Sequence, residues 1–257
     1  KYEITQEQYA DFLNTLTVEQ SANRYSNQFN SYRQYIRNVN GVFGCDGNNN
    51  NIINELNDGK EIACNLLTWQ DGIAYADWSG LRPMTELEFE KICRGTENHI
   101  ANEYAWGNTF LIHANSITNS KTADEITLPT NANINSGDFL EIKGPVRVGN
   151  FARENSTRQS AGSSYYGVME LSGNLWERCI TIGNPNGRNF VGINGDGILD
   201  DLGNANVGSW PINQNPGSGF RGGSCYFDSY CRVSDRVFST LSNNNRSYDY
   251  GFRCVLS

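Results

Sequence analysis

Residues 220–232 of the chain read Phe220-Arg221-Gly222-Gly223-Ser224-Cys225-Tyr226-Phe227-Asp228-Ser229-Tyr230-Cys231-Arg232, and Gly251-Phe252-Arg253 follow near the C-terminus. Glycine and arginine at both ends of this region are typical of a framework with tight backbone turns and internal hydrogen bonds. Between them, Ser, Tyr, Asn, Asp, Phe and Cys fill 19 of the 26 positions from 225 to 250, while Lys, Glu, Gln, Met and Trp do not occur there. This contrast indicates a binding surface carried on a fixed framework.

Length and charge narrow the classes of protein to which the chain can belong. Its 257 residues, 38% of them hydrophobic, are enough to bury a sizeable core in one large domain or two small ones. A net charge of -8 repels a phosphate backbone, so we expect no nucleic-acid partner. No apolar run approaches the roughly 20 residues that a membrane-spanning helix needs, so we expect no direct membrane insertion.

The sequence says less about the cellular compartment. Seven Cys without a CxxC spacing argue against a structural zinc site and leave at least one thiol unpaired within the chain. A motif is already under way at Lys1, which is compatible with the earlier removal of a signal or lipoprotein leader. The compartment stays open, and our working expectation is the cell surface or the extracellular space.

Helix starts can be located from local signals. Thr5 and Thr85 each begin a capping box, and Thr68 with Asp71 forms a looser cap, so three short helices are predicted. The third helix should end at Gly95 in a left-handed conformation. Its inward face is predicted to consist of Phe89, Ile92 and Cys93. Between residues 115 and 220 we expect Asn/Gly/Ser-rich loops with little regular structure.

Six segments resemble, in the same order, the signatures of the formylglycine-generating-enzyme/sulfatase-modifying-factor family. They are Lys1-Tyr2-Glu3-Ile4-Thr5 with Phe12-Leu13-Asn14, residues 81–90 (LRPMTELEFE), residues 104–108 (YAWGN), residues 167–177 (GVMELSGNLWE), residues 220–224 (FRGGS) and residues 251–253 (GFR). The resemblance implies an α+β fold, a loop-rich variant of the C-type lectin fold with a small twisted sheet and flanking helices. We expect a single domain over residues 1–257, with 221–257 as its variable region.

The family contains copper-dependent oxidases, iron-dependent sulfoxide synthases and members that only bind. In the oxidases two Cys follow the Gly-Gly-Ser signature five residues apart, and soft thiolates suit Cu(I). Here Cys231 lies near the second position, but Cys225 precedes it by six residues, so the pair is out of register. The iron enzymes need three His, and this chain has only His99 and His113. We therefore expect no catalytic residues, and keep a copper oxidase using Cys231 as the alternative.

The residue types at positions 225–250, which we call the window, match a genetic mechanism. Mutation of AAC codons at their adenines yields Asn, Asp, Tyr, Ser, Cys, Phe, Thr, Val, Leu and Arg, whereas Lys, Glu, Gln, Met and Trp need another third base. The chain thus resembles the variable protein of a diversity-generating retroelement, which implies a bacterial or phage source. The competing interpretation is an ordinary polar loop of a non-catalytic family member. The predicted display residues are Tyr226, Phe227, Asp228, Tyr230, Asp235, Phe238, Ser239, Tyr248, Asp249 and Tyr250.

We expect residues 231–236 and 251–253 to belong to the framework, with Arg232, Arg236 and Arg253 bonded internally. Tyr, Ser, Asn and Asp together suit an adaptable protein-binding surface, because rigid rings give contact area and small polar groups adapt their hydrogen bonds. The expected partner is a macromolecular ligand, in first place a protein. A passive structural surface module is a further alternative.

No cofactor is expected to be required, although the family often holds a structural calcium ion near its Gly-Asn-x-Trp-Glu signature. By that resemblance Asn174 and Glu177 are the candidate metal ligands. A second Asp/Gly-rich stretch, residues 194–201, lacks EF-hand spacing and is better explained as a turn. Trp106, Trp176 and Trp210 are expected to be anchors of the core or loops.

Overall fold

A computed structural model describes residues 1–137, 142–211 and 216–257. Its helices are α1 (Gln6–Thr15), α2 (Val18–Arg24), α3 (Trp69–Trp78), α4 (Glu86–Arg94) and α5 (Pro185–Arg188). Its strands are β1 (Ile36–Val39), β2 (Val42–Cys45), β3 (Arg82–Pro83), β4 (Ser116–Thr118), β5 (Ile126–Leu128), β6 (Glu177–Ile180), β7 (Ser218–Arg221) and β8 (Cys254–Val255). The elements between residues 115 and 220 are short, as the sequence predicts.

Threonine caps begin the four longest helices among the described residues. The three predicted caps at Thr5, Thr68 and Thr85 are confirmed, and each forms a complete capping box, including the one at Thr68. The helix α2 was not predicted, although Thr17 and Gln20 carry the same signature. Gly95 ends α4 with φ 62° and ψ -125°, so its φ is positive as predicted while its ψ lies outside the left-handed helical region.

The strands pair as two-stranded antiparallel ladders: β1 with β2, β3 with β8, β4 with β5, and β6 with β7. Asn40 and Gly41, both at positive φ, form the two-residue turn of the β1–β2 hairpin. In the β6–β7 pair, Glu177 lies opposite Arg221. Parallel bridges join Ile180 to Thr85 and Trp176 to Tyr250, so β6 connects the start of α4 to the end of the variable window.

Two large apolar clusters surround this pair of strands. The first contains Phe12 and Leu13 of α1, Ile73 of α3, and Phe252. Gly72 lets the Phe252 ring lie directly against α3, since a Cβ there would stand 1.9 Å from a ring carbon. The predicted framework triplet 251–253 is thus packed into the core.

The second cluster contains the inner face of α4. Phe89 and Cys93 are fully buried, as predicted, and Ile92 packs at its edge. Cys231 and Val233 from the window pack in the same cluster. All seven Cys are free thiols. Within the three described ranges, no helix is both long and apolar enough to cross a bilayer.

Candidate ligand-binding surface

The buried side chain of Arg221 joins the window to helix α4. The Arg221 side chain is 0% exposed, and its Nη1 and Nη2 lie 3.1 Å from Glu86 Oε2 and 3.0 Å from Glu90 Oε1 of α4. The same guanidinium donates to the backbone carbonyls of Val233 (2.6 Å) and Asp235 (3.0 Å). Burial would raise the pKa of Glu90, but the hydrogen bond and charge of Arg221 hold that pKa below its usual value. One cation therefore fixes residues 233–235 to α4.

The other predicted framework arginines differ in their surroundings. Arg253 is buried, and Arg236 is 41% exposed although its Nη2 lies 2.7 Å from the buried Glu86 Oε2. Arg232 is exposed, and no hydrogen bond from its guanidinium to the described residues is present. The prediction of an internally bonded Arg232 was wrong, because residues 231–236 alternate and its side chain points outward between buried Cys231 and Val233.

The candidate calcium ligands lie in a closed hydrogen-bonded site. Asn174 Oδ1 accepts from Val146 N (2.8 Å) and Asn135 Nδ2 (3.2 Å), while Asn174 Nδ2 donates to Glu3 Oε2 (2.6 Å). Glu177 Oε1 accepts from Arg253 Nε and Nη2 at 2.8 and 2.6 Å. Asn174 Oδ1 and Glu177 Oε1 are thus engaged by N–H groups, whereas Glu177 Oε2 is buried without a hydrogen-bond partner among the described residues. No cluster of three or more His, Cys, Asp or Glu suited to a metal occurs within the described ranges. Calcium binding by Asn174 and Glu177 stays a prediction.

The same buried site crowds three carboxyl groups around one guanidinium. Burial raises the pKa of Glu3 well above its usual range, with the neighbouring charge of Glu177 acting in the same direction. Burial also raises the pKa of Glu170 to about 7. Because Arg253 can offset one negative charge and not three, burial and mutual repulsion favour the protonated form of these carboxyl groups.

The two cysteines of the copper alternative are buried thiols. Burial raises the pKa of Cys231 to about 12 and that of Cys225 well above its ordinary value. Cys231 Sγ donates to the carbonyl of Phe227 at 3.1 Å. Since the thiolate is the copper ligand and nucleophile, copper binding at this pair would have to release the protons of both thiols.

The predicted aromatic residues of the window form one continuous cluster. Ring centroids lie 4.4 Å apart for Tyr226–Phe227, 5.5 Å for Tyr226–Tyr248, 5.7 Å for Phe227–Tyr230 and 5.0 Å for Tyr230–Phe238. The sixth ring, Tyr250, joins through Phe220 at 4.6 Å, and Trp176 lies 5.5 Å from Phe238. Phe227 is 39% exposed and the other five window rings are half-buried.

We call the six window rings with Trp176 and Phe220 the aromatic cluster. It encloses an open pocket of about 150 Å³. Trp176 and Phe220, 4% and 2% exposed, form the pocket's floor. Its other lining residues are Phe227, Phe238, Leu241, Ser247, Tyr248, Asp249 and Tyr250. Trp106 and Trp210 are core residues as predicted, whereas the buried Trp176 also contacts the pocket.

The predicted polar display residues separate into three groups. Asp228 is exposed and Asp235 is half-buried. Ser239 is buried because its backbone packs against Gly219 of β7, where a Cβ would lie 1.8 Å from the Ser239 carbonyl oxygen. Asp249 is 3% exposed, and its carboxylate accepts from Ser247 Oγ (2.5 Å) and Ser224 Oγ (3.1 Å). The expectation that Ser239 and Asp249 are openly displayed was therefore wrong.

Sequence reasoning missed several residues at this surface. Trp176 and Phe220 lie outside the window, and their motifs indicated framework only. Tyr32 stacks on Tyr248 with centroids 4.3 Å apart, and it comes from a loop near residue 30 that no sequence signal connected to the window. Leu241 and Ser247 lie within the window but were not among the predicted display residues.

The chain is similar to several known proteins. Residues 1–257 match the family described as Sulfatase-modifying factor enzyme 1-like domain. The chain is 30% identical over 204 residues to the protein named Formylglycine-generating enzyme from Streptomyces coelicolor, covering 74% of this chain and 51% of that protein. It is 27% identical over 164 residues to the protein named Inactive C-alpha-formylglycine-generating enzyme 2 from Mus musculus, covering 60% and 46%. The chain spans about half the length of these relatives. A solved structure, Treponema denticola variable protein 1, is similar at TM-score 0.40 and 16% identity, covering 76% of this chain and 71% of that one.

Proposed function

The chain belongs to the sulfatase-modifying factor enzyme 1-like domain family, and we propose that it is a non-catalytic, ligand-binding member with a diversified surface over residues 221–257. The match confirms the predicted family and its α+β, C-type lectin-like fold class. The relatives include one protein named as an enzyme and one named as inactive, so membership alone does not decide the activity.

One observation carries the proposal. The segment 225–250, in which six residue types fill 19 of 26 positions, supplies six rings to one aromatic cluster, and that cluster surrounds an open pocket. A patch of partly exposed rings with small polar groups between them is the arrangement found at protein-binding hot spots. Aromatic residues serving only a core would instead be enclosed on all sides.

The framework supports this role because it is independent of the display side chains. Arg221 holds the backbone of residues 233–235 through carbonyl oxygens, which every residue type provides. Arg178 similarly donates to the carbonyls of Asn243 (3.0 Å) and Asn245 (2.9 Å). A window that is held through its backbone can change its side chains while the backbone keeps the same conformation. A diversified surface requires this property.

The chemistry of the surface suggests the partner. The negative charge of Asp228 and the net charge of -8 disfavour nucleic-acid binding. They favour a protein ligand that has basic residues around its contact area. We propose a protein ligand met at the cell surface or outside the cell. Binding needs no cofactor in this proposal, and a structural calcium ion would be an addition to the scaffold.

A ligand screen tests the binding role. The full chain would be offered to a displayed library of secreted and surface proteins, and captured ligands titrated against variants. We expect the double variant Tyr226→Ala/Tyr248→Ala to weaken capture about 30-fold, the equivalent of roughly 2 kcal/mol for a central hot spot. Tyr166→Ala, which truncates a 55% exposed tyrosine outside the window, is the matched control. Undiminished capture by the double variant would refute the proposed surface.

The genetic origin has its own test. We expect the coding DNA to be accompanied by a near-identical template repeat carrying adenines at the variable codons, beside a reverse transcriptase gene. A locus that lacks both the template repeat and the reverse transcriptase gene would contradict the retroelement part of the proposal. The chain would then be interpreted as an ordinary binding protein.

A further inference from the structure

The pocket of the aromatic cluster has the size of a single side chain. An apolar cavity of about 150 Å³ accommodates benzene, and the pocket measures about 150 Å³. Rings line most of it, including Trp176 and Phe220 on the floor and Phe238 at the side. Aromatic rings at offset or edge-to-face geometry favour another ring over an aliphatic group of equal volume.

A buried cation lies behind the pocket. The guanidinium carbon of Arg178 stands 4.5 Å from the ring centroid of Phe220 and 4.8 Å from that of Tyr250. Burial lowers the pKa of Arg178 to about 10, so the group is still charged at neutral pH. A lysine or arginine side chain entering the pocket would contact rings that already bind the Arg178 guanidinium, and this guanidinium would repel its positive charge.

A buried carboxylate lies at the same site. Asp249 lines the pocket, and both of its oxygens already accept hydrogen bonds, from Ser247 and Ser224. An acidic side chain entering there would be repelled by this carboxylate. A basic one would be attracted to this carboxylate and repelled by Arg178. The two opposite charges beside the pocket thus offset each other for a charged group of either sign while its desolvation cost remains, and a neutral ring avoids that cost.

From its volume, its rings and these two flanking charges, we infer that the pocket receives one neutral aromatic side chain, Phe or Tyr, projecting from a protein ligand. This inference rests on the proposed function, which supplies the ligand. The exposed Asp228 and half-buried Asp235 lie outside the pocket's lining, so a basic margin of the ligand and its aromatic anchor would contact different parts of the surface.

Capped single residues test the pocket without knowledge of the ligand. N-acetyl amides of Phe, Leu, Arg and Asp would be titrated into the full chain and followed by NMR. We expect the Phe amide to bind with a dissociation constant on the order of millimolar, because so small a ligand has few atoms to contribute binding energy. The Leu amide should bind several-fold more weakly, and the Arg and Asp amides at least ten-fold more weakly.

Filling the pocket supplies the control comparison. Ser247→Phe and Leu241→Trp place rings at the pocket lining and should each weaken the Phe amide at least ten-fold, whereas Ser229→Phe adds a ring at an exposed position outside the lining and should not. Preferential binding of the Arg or Asp amide, or unchanged Phe-amide binding in both filled variants, would overturn the inference. If a protein ligand is captured through Tyr226 but pocket filling has no effect, the inference fails while the proposed function stands. If the Phe amide binds yet the screen yields no macromolecular ligand, the proposed function fails.

Discussion

Replacing Arg221 tests whether a buried cation holds the window in place. Arg221→Met keeps much of the apolar stem and removes four polar contacts, two to the carboxylates of Glu86 and Glu90 and two to the carbonyls of Val233 and Asp235. The Glu86 carboxyl is 1% exposed, so it cannot regain water. Breaking a buried ion pair by removing one partner costs about 3–5 kcal/mol, and we expect a loss of that order in the free energy of unfolding.

Arg236→Met is the matched control, because Arg236 pairs with the same Glu86 but is 41% exposed. Removing an exposed partner costs about 1 kcal/mol or less. Tyr226→Ala and Asp228→Ala, as display residues, should each change stability by less than Arg221→Met, with Asp228→Ala within about 0.5 kcal/mol of zero.

Urea unfolding of the four variants would measure these values, with the denaturant slope compared to ensure that the unfolded states are alike. Combining Arg221→Met with Glu86→Gln in a double-mutant cycle should recover part of the loss, because the second change removes a buried charge that is then paired only with the partly exposed Arg236. An Arg236→Met variant that is less stable than Arg221→Met would refute the assignment of Arg221 as the main support of the window.

Three other outcomes are expected. The folded pKa of Glu170, about 7, exceeds its ordinary 4.5, so its stabilising contribution is full below about pH 4.5 and is lost as pH rises through 7. Glu170→Gln should therefore flatten the fall in the free energy of unfolding between pH 5 and 7, which is at most about 1.4 kcal/mol per pH unit. The purified protein should neither bind Cu(I) tightly nor oxidise a cysteine-containing sulfatase peptide, and stoichiometric copper binding abolished by Cys231→Ser together with turnover would overturn the non-catalytic assignment. Association with a basic protein ligand should slow as salt rises, and stopped-flow rates of Asp228→Asn should show a weaker salt dependence than those of the parent chain.

Local signals predicted the parts of the fold that depend on neighbours in sequence. The caps at Thr5 and Thr85 follow from residues three positions apart, and the structure confirms both. The capping box at Thr17 and the Asn40-Gly41 turn are local signals of the same kind. The helix α2 and the β1–β2 hairpin are therefore also predictable from neighbours in sequence.

The candidate site depends instead on contacts between distant segments. The aromatic cluster could be predicted because so many rings occur in one short window. The burial of Ser239 could not, since it follows from the backbone of Gly219 passing close by. Asp249 is enclosed by hydroxyl groups from Ser224 and Ser247, and nothing in its own sequence neighbourhood distinguishes it from exposed Asp228.

The pocket is built from two populations of residues with different evolutionary freedom. Trp176 and Phe220 lie upstream of residues 221–257, whereas Phe238, Tyr248 and their neighbours lie within them. In the proposed diversification, every sibling protein would keep the same two rings at the bottom of the hollow while the walls above them change. Random substitution would then vary what the hollow accepts without having to create a hollow anew, so a repertoire of this kind begins each round from members that already have somewhere to hold a target.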